Sequence, residues 1–224
     1  MSDLCDIYNQ ASCLHAQGTR VMSCDEKTGI QAIERMVTPM KRGRYERQEH
    51  EYDRHGTQCL IANFEVATGK IISSTVGNTR KEKDFERHIR RTVKTDTEAS
   101  WIFIVDNLNT HQSESLVRYV ANACSIKEEL GKKGKSGILK SKESRAEFLS
   151  DPTHRIRFVY TPKHASWLNQ VEIWFGILVR RLLKRLSVKS KQELKEKITA
   201  FIDYFNTTMA KAFKWTYKGR PLNA

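Results

Sequence analysis

Residues 101–105, WIFIV, are an unbroken apolar run that ends directly on Asp106. A strand with one wet face alternates apolar and polar residues. A continuous run instead predicts a strand buried on both faces, as in the middle of a sheet with helices on each side. The rest of the chain supplies such helices and further strands, so the sequence predicts a mixed α/β domain.

Upstream, residues 1–17 read as a short helix or tail, and TRVMSCDEKTG as a strand that ends at Asp25 in a polar turn. Residues 39–56 mix charges of both signs without an apolar period and predict an exposed, mobile loop. TQCLIANFEVATGKIISSTVG then carries two β-rich runs around ATGK, a hairpin signal. The next helix shows Phe85, Ile89 and Val93 at i, i+4 and i+8, and a further helix spans about 113–124.

The texture changes at 125–154, rich in Lys, Gly and Ser before a short helix, which reads as an insertion. RIRFVY is another strand and TPKHAS a loop. LNQVEIWFGILVRRLLKRLS predicts one long amphipathic helix with Val171, Phe175, Leu178, Leu182 and Leu186 as its apolar stripe. The last helix opens with a Ser190/Glu193 capping box and repeats Leu194, Ile198, Phe201, Ile202 and Phe205 at helical spacing. Trp167 and Trp174 are expected to be core anchors.

Charge is unevenly divided. The net +13 lies wholly in the second half: residues 1–112 hold 16 basic and 16 acidic residues, and residues 113–224 hold 23 and 10. An excess confined to one half points to a polyanion-binding face. Lys163, Arg180, Arg181, Lys184 and Arg185 are its candidate DNA contacts. Nothing in the sequence has the length of a membrane span or the form of a signal peptide. Five scattered cysteines without a CxxC pair argue against a zinc site and suggest a reducing cytoplasmic compartment.

Three carboxylates sit at element ends: Asp25 and Asp106 after strands, Glu172 at the start of a helix. If the two strands are neighbours, both aspartates leave the sheet at one edge, and the helix can bring Glu172 over them. Clustered carboxylates repel unless a cation neutralises them, and hard oxygen donors favour Mg²⁺ or Mn²⁺. Two such ions support phosphoryl transfer. Each residue also has a purely structural role open to it. Asp25 suits a turn. Asn169 and Glu172 have the spacing of an N-cap and its N3 partner. Asp106 lies too far back to cap the helix that follows it. Gly176, one turn beyond Glu172, leaves a gap beside that carboxylate or allows close helix packing. Asn107, His111 and Asn169 are candidates for touching substrate or holding a ligating carboxylate, and His164 is a loop histidine without an assigned role.

SCDEKTGIQAIER, FIVDNLNTH and TPKHASWLNQVEIWF, in this order and joined by HGTQCLIANFEVATGK and KGRPL, resemble the catalytic domain of bacterial insertion-sequence transposases of the mariner-type DDE superfamily. The resemblance implies an RNase H-like, retroviral-integrase-like fold, a mixed sheet flanked by helices. It implies Asp25, Asp106 and Glu172 as catalytic metal ligands for two Mg²⁺ ions, with Mn²⁺ able to substitute. The partners it implies are double-stranded DNA at terminal inverted repeats and a target, commonly TA. A homodimer on DNA and a nucleoid-associated cytoplasmic location go with them.

The family ordinarily spaces its second aspartate and its glutamate more closely than the 65 residues found here, and the excess falls on the insertion at 125–154. The domain plan expected is a helical tail over 1–18 and a catalytic domain over 19–224. The family's helix-turn-helix domains are expected to be absent from this chain, as in a second reading frame joined by frameshifting or a truncated copy, and a separate helix-turn-helix polypeptide is one candidate partner. Two other functions fit the same residues: a catalytically silent, truncated remnant that only binds DNA, and a stand-alone RNase H-like nuclease.

Overall fold

The computed structural model describes residues 2–38, 47–163 and 165–217. In chain order the elements are α1 (Ser2–Ala16), β1 (Thr19–Thr38), β2 (Arg47–Glu65), β3 (Ile71–Gly77), α2 (Glu82–Val93), β4 (Ser100–Val105), α3 (Glu114–Ala123), α4 (Lys142–Ser150), β5 (Ile156–Tyr160), α5 (Val171–Arg181) and α6 (Lys191–Thr208). The strands form one five-stranded sheet in the order β3-β2-β1-β4-β5. β1–β2 and β2–β3 are antiparallel, while β1–β4 and β4–β5 are parallel. This mixed sheet with helices on both faces is the RNase H-like arrangement expected.

β4 occupies the centre as its continuous apolar run requires. Trp101, Phe103 and Val105 face α2, α3 and α4, while Ile102 and Ile104 face α1, and all five are buried. α1 packs Leu4, Tyr8 and Ala11 against that second face. Farther along the same face, α5 and α6 bury Trp174, Phe175, Leu194, Ile198 and Phe205 against Ile30, Leu60, Ala62 and Phe64. The periodic positions of α2 (Phe85, Ile89, Val93) are all buried. Among the described residues no helix is long and apolar enough to cross a membrane, and all five cysteines are free.

Several local expectations are overturned. β1 does not end at Asp25 but runs through it, pairing Asp25 with Ala62. The polar stretch DEKTG makes a bulge instead of a turn. Between Lys27↔Leu60 and Ile30↔Gln58, β1 advances three residues for two on β2, and Gly29 takes a φ of 67° there. Residues 47–56, expected in a mobile loop, belong to β2. Its residues 52–56 are exposed, as suits polar and charged side chains on a ribbon wet on both sides. Residues 39–46 lie outside the described residues, as do His164 and the KGRPL segment.

The long helix expected over LNQVEIWFGILVRRLLKRLS stops at Arg181 and gives way to a 3-10 turn at Leu183–Arg185. Tertiary bonds override its helical pattern. Val188 N–H donates to the Ile33 carbonyl (2.8 Å), and Arg35 N–H to Ser187 Oγ (2.9 Å). Leu182 and Leu186 are accordingly only partly buried. Of the Ser190/Glu193 capping box only half forms: Ser190 Oγ accepts from Glu193 N–H (3.1 Å), but the Glu193 carboxylate accepts from Lys189 N–H (2.8 Å) instead of the cap residue.

The segment 125–154 carries its own apolar anchors, Leu139, Phe148 and Leu149, into the core below α2 and α3. It also buttresses the loop that follows β4. Lys142 Nζ donates to the Asn107 carbonyl (2.8 Å), and Arg145 Nε to that of Gln112 (2.6 Å).

Candidate active site

The parallel pairing of β1 with β4 ends at Ser23↔Ile104. Two residues further along each strand stand Asp25 and Asp106, at the point where β4 stops and the sheet opens. On β1, side chains alternate between faces. Cys24 is buried toward α2 and α3, whereas Ser23 and Asp25 turn toward the start of α5.

Asn169 fastens α5 there. Its Nδ2 donates to the Cys24 carbonyl (2.9 Å) and lies 3.3 Å from Asp25 Oδ2, while the Ser23 hydroxyl donates to its Oδ1. Ser23 Oγ in turn accepts from Val171 N–H (2.8 Å). The cap of α5 is thus supplied by a neighbouring strand, and the Asn169–Glu172 capping box, the structural role open to Glu172, is not formed. Gln170 is the N-cap and makes no side-chain cap bond. Glu172 is exposed in the first helical turn; its N–H donates to the Asn169 carbonyl (3.0 Å), while its carboxylate makes no hydrogen bond or ion pair among the described residues.

Asp25 is nearly buried, with Oδ1 accepting from Glu26 N–H (2.7 Å). Burial, and then the negative charges of Asp106 and Glu172, push its carboxyl up to about 7. Asp106 is the opposite case. Burial alone would raise it, but His111 pulls it below the ordinary carboxylate range: Nδ1 lies 2.7 Å from Asp106 Oδ1, to which Leu108 N–H also donates (3.0 Å). His111 is fully buried, and burial opposes its charge. Its bonds to Asp106 and, through Nε2, to Glu26 Oε1 (3.2 Å) nevertheless raise it to about 9. It is therefore an imidazolium bridging two acids at neutral pH. Phe85 covers its ring, centroids 4.2 Å apart, and Tyr160 OH donates to its carbonyl (3.0 Å).

Asn107 ties the ends of β4 and β5 together, Nδ2 donating to the Thr161 carbonyl (2.6 Å). Lys163, Arg180, Arg181, Lys184 and Arg185 are all exposed, and Arg180, Arg181 and Arg185 line one shallow groove. The gap expected at Gly176 is filled by Arg180, whose Nη1 lies 3.1 Å from where a Cβ would stand. Trp174 is a core anchor as expected, but Trp167 is not, being 55% exposed.

Two participants were missed. The Glu26 carboxylate is buried, bonded to His111, and 3.7 Å from the Arg80 guanidinium. Ser23 has no motif to mark it. Strand alternation beside Asp25 was the only available signal for either.

The donor set suits a hard divalent cation: three carboxylates, of which Asp25 is raised to about 7 first by its burial and then by the negative charges of the other two. As the side chains stand, no three His, Cys, Asp or Glu residues among those described are gathered closely enough to hold an ion.

None of the curated proteins matches the sequence. Among solved structures, the Mos1 transposase paired-end complex with left transposon end matches with a TM-score of 0.36 and 13% identity, over 91% of this chain and 58% of that one. The Mos1 mariner paired end complex with Mn matches with a TM-score of 0.35 and 14% identity, over 95% and 62%. The chain thus spans less than two thirds of the length of these relatives. The model of a family described as DDE superfamily endonuclease matches residues 20–195, most of the sequence, and the chain belongs to that family.

Proposed function

We propose that this chain is the catalytic domain of a transposase, which cuts DNA and joins the freed 3′ ends to a target. Asp25, Asp106 and Glu172 would hold two Mg²⁺ ions, or Mn²⁺ in their place. The observation that carries this reading is Asp25, a buried carboxyl pushed up to about 7 by burial and by the two other acids of the same triad. A site that concentrates uncompensated negative charge at a sheet edge is one that a cation relieves. When bound, divalent cations would supply charge stabilisation to the attacking and leaving oxygens of a phosphodiester.

The protein's own residues prepare that site. His111 keeps Asp106 ionised and fixes Oδ1, so its other oxygen is the one available for ligation. Asn169 sets Asp25 and the first turn of α5 in register. Lys163 and the α5 cluster of Arg180, Arg181, Lys184 and Arg185 would hold the DNA backbone through its phosphates. In the same proposal the DNA comprises terminal inverted repeats and a target such as TA. The working form is a homodimer on DNA in the nucleoid, and a separate helix-turn-helix polypeptide contributes end recognition.

The test is nicking of supercoiled plasmid in Mg²⁺ or Mn²⁺ by wild type and by Glu172→Gln. Glutamine keeps the shape and helix propensity but is a poor ligand for a hard cation. Nicking that disappears in a normally folded variant is the expected result. Equal nicking by both proteins removes Glu172 from the site. No nicking by either, with DNA binding intact, leaves a protein that binds and does not cut.

A further inference from the structure

The loop between β5 and α5 ends in a 3-10 turn, Ser166–Leu168, whose middle residue breaks the ordinary burial rule. Leu168 is fully buried, and its carbonyl accepts from Tyr8 OH (2.8 Å). Trp167 beside it points outward and is more than half exposed. Tryptophan carries one of the largest apolar surfaces available to a folding chain, so leaving it in water forgoes stabilisation that a polar residue would not sacrifice.

Its ring is nevertheless braced. A file of aromatic rings runs outward from the core: Tyr8 to Trp215 (4.7 Å), Trp215 to Tyr217 (6.4 Å), and Tyr217 edge-on to Trp167 (5.0 Å, 72°). Two residues on, Asn169 touches Asp25, so the Trp167 backbone lies within roughly 8 Å of the residue that grips the first carboxylate. Lys163 precedes it and Ile173, also exposed, follows Glu172.

We propose that Trp167 is a stacking platform for a nucleobase adjacent to the bond being cut, once that base has left the helical stack. This inference rests on the DNA-cutting function proposed above and adds a binding residue to it. A flat ring braced by Tyr217, on the loop that leads into the residue gripping Asp25, matches the face of a base, whatever its sequence. A nucleic acid, not a protein, is the occupant favoured, because the surrounding half of the chain holds 23 basic and 10 acidic residues.

Fluorescence reads this directly, since Trp101 and Trp174 are buried and Trp167 is the most exposed indole. The probes are two duplexes of about 20 base pairs, one fully paired and one with a single unpaired base at its centre, added without divalent metal. Wild type should bind the unpaired probe with quenching of indole emission. Trp167→Leu should lose that quenching and about ten-fold in affinity for the unpaired probe, with affinity for the paired one unchanged, while Trp167→Phe should retain most of the preference. Thermal melting confirms that the variants are folded.

Equal affinities for the unpaired probe in wild type and Trp167→Leu, without quenching, overturn the platform and leave the nuclease function standing. Protection of Trp167 that grows with protein concentration in the absence of DNA also overturns it, in favour of a contact between copies. Failure of wild type to bind either probe removes the DNA-cutting function and the platform together.

Discussion

Asp25 and His88 place opposite pH dependences on the same fold. The folded-state pKa of Asp25, about 7, lies above its ordinary 3.8, so the fold retains a proton that the unfolded chain releases. Its contribution to stability is fully present below about 3.8 and is lost as pH rises through 7. His88, on the buried face of α2, is lowered from 6.5 to about 3 by that burial and by the nearby Arg91, and its contribution is present above 6.5 and lost as pH falls toward 3. Between about 4 and 6.5 the two slopes oppose each other. Asp25→Asn removes one of them. Without metal, the variant's melting temperature should fall more steeply on acidification across that window than that of wild type. At pH 8, where wild type carries an uncompensated buried charge, the variant should be the more stable by roughly 2 kcal/mol. Parallel melting profiles would mean that Asp25 is solvated and ordinary. At this scale the sequence offered Asp25, Asp106 and Glu172 because each stands at a change of pattern. It could not offer Glu26 or Ser23, whose importance comes from a histidine 85 residues away and an asparagine 146 residues away.

At the scale of elements, α5 shows how a helix serves two ends at once. Its first turn carries Glu172 toward the sheet edge and its last turn carries Arg180 and Arg181, with Gly176 between them. The Arg180 guanidinium lies across the space that the glycine leaves, so the helix joins its acidic and basic ends along one line. Gly176→Ala separates this geometry from helix stability. Alanine is the better helix former by about 0.5–1 kcal/mol, and its methyl meets only the movable tip of Arg180. The variant should melt at a higher temperature while nicking plasmid several-fold more slowly, because Arg180 is displaced. A higher melting temperature with undiminished nicking would show that the position of Arg180 over Gly176 has no part in the reaction. The strands and most helices were legible from periodicity, since WIFIV and the i, i+4 stripe of α2 depend on burial alone. The end of α5 was not legible. No breaker stands at Arg181, and the helix stops because Ser187 and Val188 find partners on β1, a choice made by tertiary contacts. The same holds for DEKTG, where turn chemistry serves a bulge: Gly29 supplies the positive φ that either structure needs.

For the whole molecule, the question is which basic face meets DNA, and counting charges does not answer it. A groove between α2 and α3 is also lined by Lys83, Arg87, Arg90 and Arg118. Those arginines have acidic neighbours on their own helices: Arg90 with Glu86 (2.6 Å), Arg118 with Glu114 (2.8 Å) and, more loosely, Arg87 with Asp84 (3.9 Å). Arg180, Arg181 and Arg185 make no such pair among the described residues, and they lie in the last turn of the helix that bears Glu172 and in the 3-10 turn after it. The sequence already placed the excess charge in the second half, but only the fold separates charges that are neutralised locally from those left for a polyanion. A neutralised arginine releases few counterions when a phosphate arrives, whereas a free one contributes about 0.9 to the slope of log affinity against log salt. Replacing Arg180, Arg181 and Arg185 with alanine should therefore reduce that slope by about 2–3, and weaken binding alike on all DNA sequences. Replacing Arg87 and Arg118 should leave it nearly unchanged. If the α2–α3 pair lowers the slope and the α5 cluster does not, the DNA lies across the other face of the sheet. Neither Glu172 nor Trp167 would then be beside it, and the assignment of the site would fail at its largest scale.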